Sequence, residues 1–143
     1  MQRIMTSAAL VFASALLLSG CAASGGGGEA AVDTCETVRT EVRDISNGAQ
    51  NSLAAGGDPS EVKSALEGYS ERVDTLAEEA DNEGVSDALE GLGERLDEAA
   101  DFAETLPTDP EAEVDGEAVA EQQTAIHEAA TEVTSACAPE TEG

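Results

Sequence analysis

Four runs of apolar residues constrain this chain more than any other feature. Each repeats every three or four positions, and each is bounded by glycine or proline. That spacing lays one apolar stripe along a helix with about 3.6 residues per turn. The first stripe is Cys35, Val38, Val42, Ile45, Ala49 and Leu53. Asp33 or Thr34 is suited to cap its start, and Gly56-Gly57 to end it. The second opens at Asp58-Pro59, with proline fit for a first helical turn. It continues through Val62, Leu66, Tyr69, Val73, Leu76 and Ala80. A third stripe runs through Val85, Leu89, Leu92, Leu96, Ala99, Phe102 and Leu106, and Pro107 stops it. A fourth and weaker one, Val119, Gln122, Ile126, Ala129, Val133 and Cys137, ends before Pro139. No segment alternates with the period of a strand. The predicted class is all-α, a small antiparallel four-helix up-down bundle over residues 33–138.

The connections set how the pieces meet. Gly56-Gly57 and the acidic loop over 107–115 read as turns between antiparallel neighbours. Asn82-Glu83-Gly84 leaves two readings, because the apolar phase breaks there. With Gly84 as a left-handed cap, the chain makes four separate helices. With the helix continuous but kinked, about 47 residues would span roughly 70 Å and give an elongated molecule. The bundle is the favoured expectation. Its core must be thin, since the chain has two Phe, one Tyr and no Trp, and alanine fills much of each stripe. Gly68, Gly91 and Gly93 fall inside the helices and each costs about 1 kcal/mol relative to alanine where exposed. They read as tolerated residues rather than as points of close helix approach.

The N-terminus carries a different kind of pattern. Met1-Gln2-Arg3 is a short basic start, Ile4 to Leu18 is mostly apolar, and Leu18-Ser19-Gly20-Cys21 leads into Ala22-Ala23-Ser24-Gly25-Gly26-Gly27-Gly28. The apolar run is too short for a stable span and is built like an export signal. Leu18-Ser19-Gly20-Cys21 resembles the lipobox of bacterial lipoproteins. The resemblance covers only the first 21 residues. It implies a signal peptide over 1–20, a diacylglycerol group on the Cys21 thiol, and cleavage that makes Cys21 the first mature residue. Acyl chains would then hold the protein on a bacterial membrane, outside the cytoplasm, since two chains anchor stably where one does not. Residues 21–32 would be a flexible tether, with a mean span near 18 Å by the usual scaling for Gly-rich chains, about 5–6 Å × √n. Residues 139–143 would be a short tail.

Assigning Cys21 to lipid leaves two cysteines, Cys35 at the start of the first helix and Cys137 at the end of the fourth. An up-down bundle brings those two ends to one side. In an oxidising compartment their natural pairing is a Cys35–Cys137 disulfide. There is no Cys-x-x-Cys and only one histidine, so neither a redox-active pair nor a metal site is supported.

Charge narrows the function classes. Arg3 is the only charged residue before Cys21, so the mature chain keeps five Lys or Arg against 31 Asp or Glu, a side-chain charge of 5 − 31 = −26. Such a surface repels nucleic acid and anionic headgroups, and DNA or RNA binding is excluded. Acidity with few aromatics approaches the composition of disordered segments, against which the regular stripes argue for a fold.

Within the last loop Asp109, Glu111, Glu113 and Asp115 alternate ahead of Gly116 and Glu117. They slightly resemble a calcium loop, but two early acids are Glu and Gln122 stands where a bidentate Glu would close it. A solvated loop is the better reading. His127 sits beside the fourth stripe without a second ligand at metal spacing. Gln122, inside that stripe, suits a register or polar-gap role. Glu78, Glu79, Glu90, Glu94, Asp97, Glu98, Asp101 and Glu104 make acidic helix faces with few basic partners four residues away. No nucleophile elbow, phosphate loop or zinc motif occurs. The expectation is a non-catalytic, membrane-anchored extracytoplasmic module without a cofactor, acting on a partner such as a basic envelope protein. The alternative is a binding protein holding a small apolar ligand or lipid between its helices.

Overall fold

The computed structural model describes residues 27–109 and 111–138, with side chains from Thr34 onward. Among them are four helices: α1 (Gly27–Ala55), α2 (Pro59–Glu79), α3 (Glu83–Ala103) and α4 (Gly116–Ala136). No strand occurs among the described residues. Neighbouring helices pack as α1 on α2, α2 on α3, α3 on α4 and α4 back on α1, which closes an all-α four-helix bundle. The elongated alternative is thereby set aside, since α2 and α3 fold against each other instead of running on as one rod.

Each stripe faces inward. Val38, Val42, Ile45, Ala49 and Leu53 of α1 are buried. So are Val62, Leu66 and Val73 of α2 and Val85, Leu89, Leu92, Leu96 and Ala99 of α3. In α4 the buried members are Val119, Ile126, Ala129 and Val133. Tyr69, Leu76, Ala80 and Phe102 are only partly covered, lying where the stripes meet solvent. Full burial of a Leu or Ile stabilises by about 1.5–3 kcal/mol, so Ile45, Leu53, Leu66, Leu89, Leu92, Leu96 and Ile126 carry most of the core.

Three local details differ from the expectations. First, Gly84 is not a left-handed cap but lies in the first turn of α3. α2 instead ends at Ala80 in an extended conformation, φ −73° and ψ 120°. Asn82 starts α3, its side chain accepting from the Val85 amide at 3.2 Å. Ser86 Oγ donates to the Ala77 carbonyl at 3.0 Å, satisfying an acceptor that a C-terminal glycine motif would otherwise serve. The only described glycines with positive φ are Gly56 and Gly57, at 60° and 110°, in the α1–α2 turn.

Second, α1 starts at Gly27, ahead of Asp33 and Thr34. Residues 27–32, expected as the end of the tether, have helical backbone there. Glu29-Ala30-Ala31-Val32 contains no proline or glycine to stop a helix from growing backwards. Third, Gly93 is buried, and a Cβ there would lie 3.4 Å from Asp74 Oδ1 and 3.9 Å from Val73 Cγ1. It marks a close approach of α2 and α3, whereas a Cβ on Gly68 or Gly91 would meet nothing within 4 Å.

Candidate functional site

The up-down topology gives the bundle two unlike ends. One gathers the start of the first described helical side chains, the α2–α3 turn and the end of α4. There Cys137 is buried, Cys35 is half-buried, and both stand as free thiols in this structure. Cys137 and Cys35 come close enough for their thiols to interact, so the early part of α1 and the end of α4 meet at this end of the bundle. Burial, then the interaction with Cys35, pushes the Cys137 thiol up to about 12, with the Arg39 guanidinium acting in the opposite sense. Arg39 Nη2 also donates to the Cys137 carbonyl, fastening the last turn of α4 onto α1. Further along the same pair, Gln123 Nε2 donates to the Gln50 carbonyl at 2.9 Å.

At the opposite end, the α1–α2 turn and the α3–α4 loop surround a half-open cavity of about 710 Å³. Leu53, Leu106 and Val119 form its apolar floor, and Ala112 and Val114 its outer lip. Val114 is 46% exposed, which makes it the exposed large aliphatic side chain of the described surface. Asp58 and Asp109 supply polar rim, and no Lys or Arg lines the cavity. Hydrogen bonds from the Ser60 hydroxyl and amide hold the Asp58 carboxyl below its ordinary range, so it stays charged. A smaller cavity of about 330 Å³ lies between α1 and α2, lined by Thr34, Thr37, Val38, Leu76 and Glu79.

The acids of the alternating loop are not gathered on one point. Asp109 Oδ1 accepts from the Glu111 amide at 2.9 Å. Asp115 caps α4, accepting from the Glu117 and Ala118 amides at 3.1 and 3.2 Å. Glu111 and Glu113 point to solvent. No group of three or more His, Cys, Asp or Glu side chains able to hold a metal ion occurs among the described residues. His127 is exposed on α4 and Gln122 is half-buried. The cross-helix hydrogen bond belongs instead to Gln123, one position along, which the apolar period could not single out.

Each of the five Lys and Arg among the described residues is engaged close to home. Lys63 reaches Glu104 across α2 and α3, and that carboxylate raises its ammonium above the ordinary value. Arg72 meets Glu41 on α1 at 2.6 Å and lies 6.0 Å from the centre of the Tyr69 ring. Arg95 pairs with Glu98 at 2.5 Å, Arg43 lies 3.5 Å from Asp44, and Arg39 serves Cys137. No Lys or Arg follows Arg95 in the chain, so apart from Glu94, Glu98 and Glu104, which Arg95 and Lys63 meet, the acids of the later half of α3, the loop and α4 form no ion pair with Lys or Arg among the described residues. The lipobox at Leu18-Ser19-Gly20-Cys21, lipidation of Cys21 and the tail over 139–143 lie outside the described residues. No described helix is long and apolar enough to cross a membrane.

No protein-family model, curated protein or solved structure matches this chain.

Proposed function

We propose that this chain is a lipid-anchored extracytoplasmic lipoprotein whose acidic bundle binds a basic protein of the cell envelope, without catalysing a reaction. The observation that carries the reading is the distribution of charge. Every described Lys and Arg is spent on a neighbour, and no Lys or Arg follows Arg95. Exposed ion pairs of this kind contribute only about 0–1 kcal/mol each, so they organise the surface more than they stabilise the fold. The acids left over attract and orient a basic partner at long range. The Leu18-Ser19-Gly20-Cys21 pattern supports the anchor, and the alternative of a ligand within the helical seam finds less support. The seam is occupied by fully buried Leu66, Leu89, Leu92, Leu96 and Ile126, while the 710 Å³ cavity opens beyond its end.

The same reading includes a covalent clasp. In an oxidising compartment the Cys35 and Cys137 thiols each give up a hydrogen and join through a sulfur–sulfur bond, while a disulfide donor is reduced to its dithiol. The nearness of the two thiols and the placement of the two helix ends support this pairing.

Carbodiimide cross-linking on intact membranes, read by mass spectrometry, tests the function. Carboxylates of this chain should be joined to lysines of one recurrent protein. A charge-matched acidic helical lipoprotein serves as control, and recovery of the same lysines with it would overturn the proposal.

A further inference from the structure

The half-open cavity at the loop end has features that a uniformly acidic surface lacks. Its volume of about 710 Å³ falls in the range of recognised ligand clefts, roughly 300–1,000 Å³. Leu53, Leu106 and Val119 make an aliphatic floor that is already largely covered, Thr108 and Asp109 share the sides, and Val114 leaves nearly half its surface in water at the lip. Around that apolar hollow stand Asp58 and Asp109, with Glu111 and Glu113 exposed on the same loop. Lys63, the nearest cation in sequence to either connection, is committed to Glu104. An apolar hole inside an acidic rim selects against two kinds of occupant at once. An acidic segment is repelled, and a purely polar basic segment leaves the hollow wet.

We infer that this cavity is the docking site for a basic protein segment that inserts one large aliphatic or aromatic side chain, flanked by Lys or Arg. The inserted side chain covers Val114 and fills the space between Leu53, Leu106 and Val119, while the flanking cations meet the rim carboxylates. This arrangement of a buried apolar anchor within a polar rim is how interfaces concentrate affinity. The site lies at the end of the bundle away from Cys35, and therefore away from the side on which the chain enters the fold. A lipid anchor at Cys21 would leave this cavity facing away from the membrane. The inference rests on the proposed basic partner and adds where and how it is gripped.

The test uses the full-length lipidated protein in a non-ionic detergent and two fluorescent peptides, Arg-Lys-Phe-Lys-Arg and its twin with serine in place of phenylalanine. Anisotropy should give saturable one-to-one binding of the phenylalanine peptide, about tenfold tighter than the twin. Val114→Asp and Ala112→Trp, both at exposed loop positions, should each abolish that tenfold difference while leaving the twin's weak binding in place. Glu111→Gln with Glu113→Gln should weaken both peptides several-fold and flatten the salt dependence. Equal binding of the two peptides, or an undiminished preference in Val114→Asp and Ala112→Trp, would overturn the docking site while leaving a basic partner for the helix faces. If neither peptide bound better than to a charge-matched control, the docking site would fall and the basic-partner reading with it.

Discussion

Opening the proposed Cys35–Cys137 clasp should cost this bundle a large part of its stability. The two cysteines are separated by about 100 residues, and a cross-link closing a loop of that length is worth about 4.7 kcal/mol through the entropy it removes from the unfolded chain. The folded state adds little to oppose this, because Cys35 and Cys137 are already neighbours when reduced and Arg39 already ties Cys137 to α1. Against a total stability of about 5–15 kcal/mol for a typical domain, and with a core built largely of Val, Leu and Ala, the loss is substantial. At about 4–8 °C per kcal/mol for a domain near this size, the melting temperature should fall by roughly 20 °C or more. The assay is thermal unfolding followed by circular dichroism, with and without dithiothreitol, on the native chain and on Cys35→Ser. Native protein should lose that stability on reduction. Cys35→Ser should start near the reduced value and ignore the reductant. An unchanged melting temperature on reduction, or two free thiols in the mass of the unreduced native chain, would refute the reasoning.

Cys21→Ala should move the protein from the membrane fraction to the soluble fraction, and retained anchoring would remove the lipobox reading. Because folding raises the Cys137 thiol from its ordinary 9.0 to about 12, the reduced fold keeps that contribution below pH 9 and loses it as pH climbs towards 12. Alkaline melts should therefore show a steeper decline for the reduced protein than for the oxidised one, which has no thiol to ionise. Gly48→Ala should destabilise by about 1–3 kcal/mol in urea melts, because its new methyl would collide with Tyr69 Oη, lie 2.6 Å from its Cζ and drive the ring off α1. Gly68→Ala, with open space around it, should instead gain about 0.5–1 kcal/mol by the same assay.

The apolar period made the architecture legible in advance. Val38 through Leu53 and, Phe102 apart, Val85 through Leu106 are buried where the three-and-four spacing puts them, because a thin core leaves no other way to cover those side chains. Local breaks were harder to read. Asn82 and Ser86 together close the α2–α3 corner, a division of labour that hides behind the more conspicuous Gly84. The seat of Tyr69 on Gly48 was out of reach for a similar reason: two residues 21 positions apart become partners only when α1 and α2 are brought side by side. The loop-end cavity is more remote still from the sequence. Leu53, Leu106 and Val119 belong to three stripes, and each looks like an ordinary last or first core residue until two connections leave a gap between them. That Cys35 and Cys137 come to one end of the bundle followed from the up-down order, while the proximity of Arg39 did not.

The meeting of α1 and α4 at the cysteine end has a mechanical side. If the chain is anchored by its N-terminus and gripped at its far loops, as proposed, it is loaded in tension along the bundle. Without a tie, the load would enter α1 alone and peel it from its neighbours, starting at the sparse α1–α2 contact. Pulling experiments between the N-terminus and the α3–α4 loop should find a lower rupture force after reduction, and equal forces would contradict this load path. With Cys35 bonded to Cys137, tension divides between two helices at the point of entry. The bundle must then be sheared along its length before it can be unzipped.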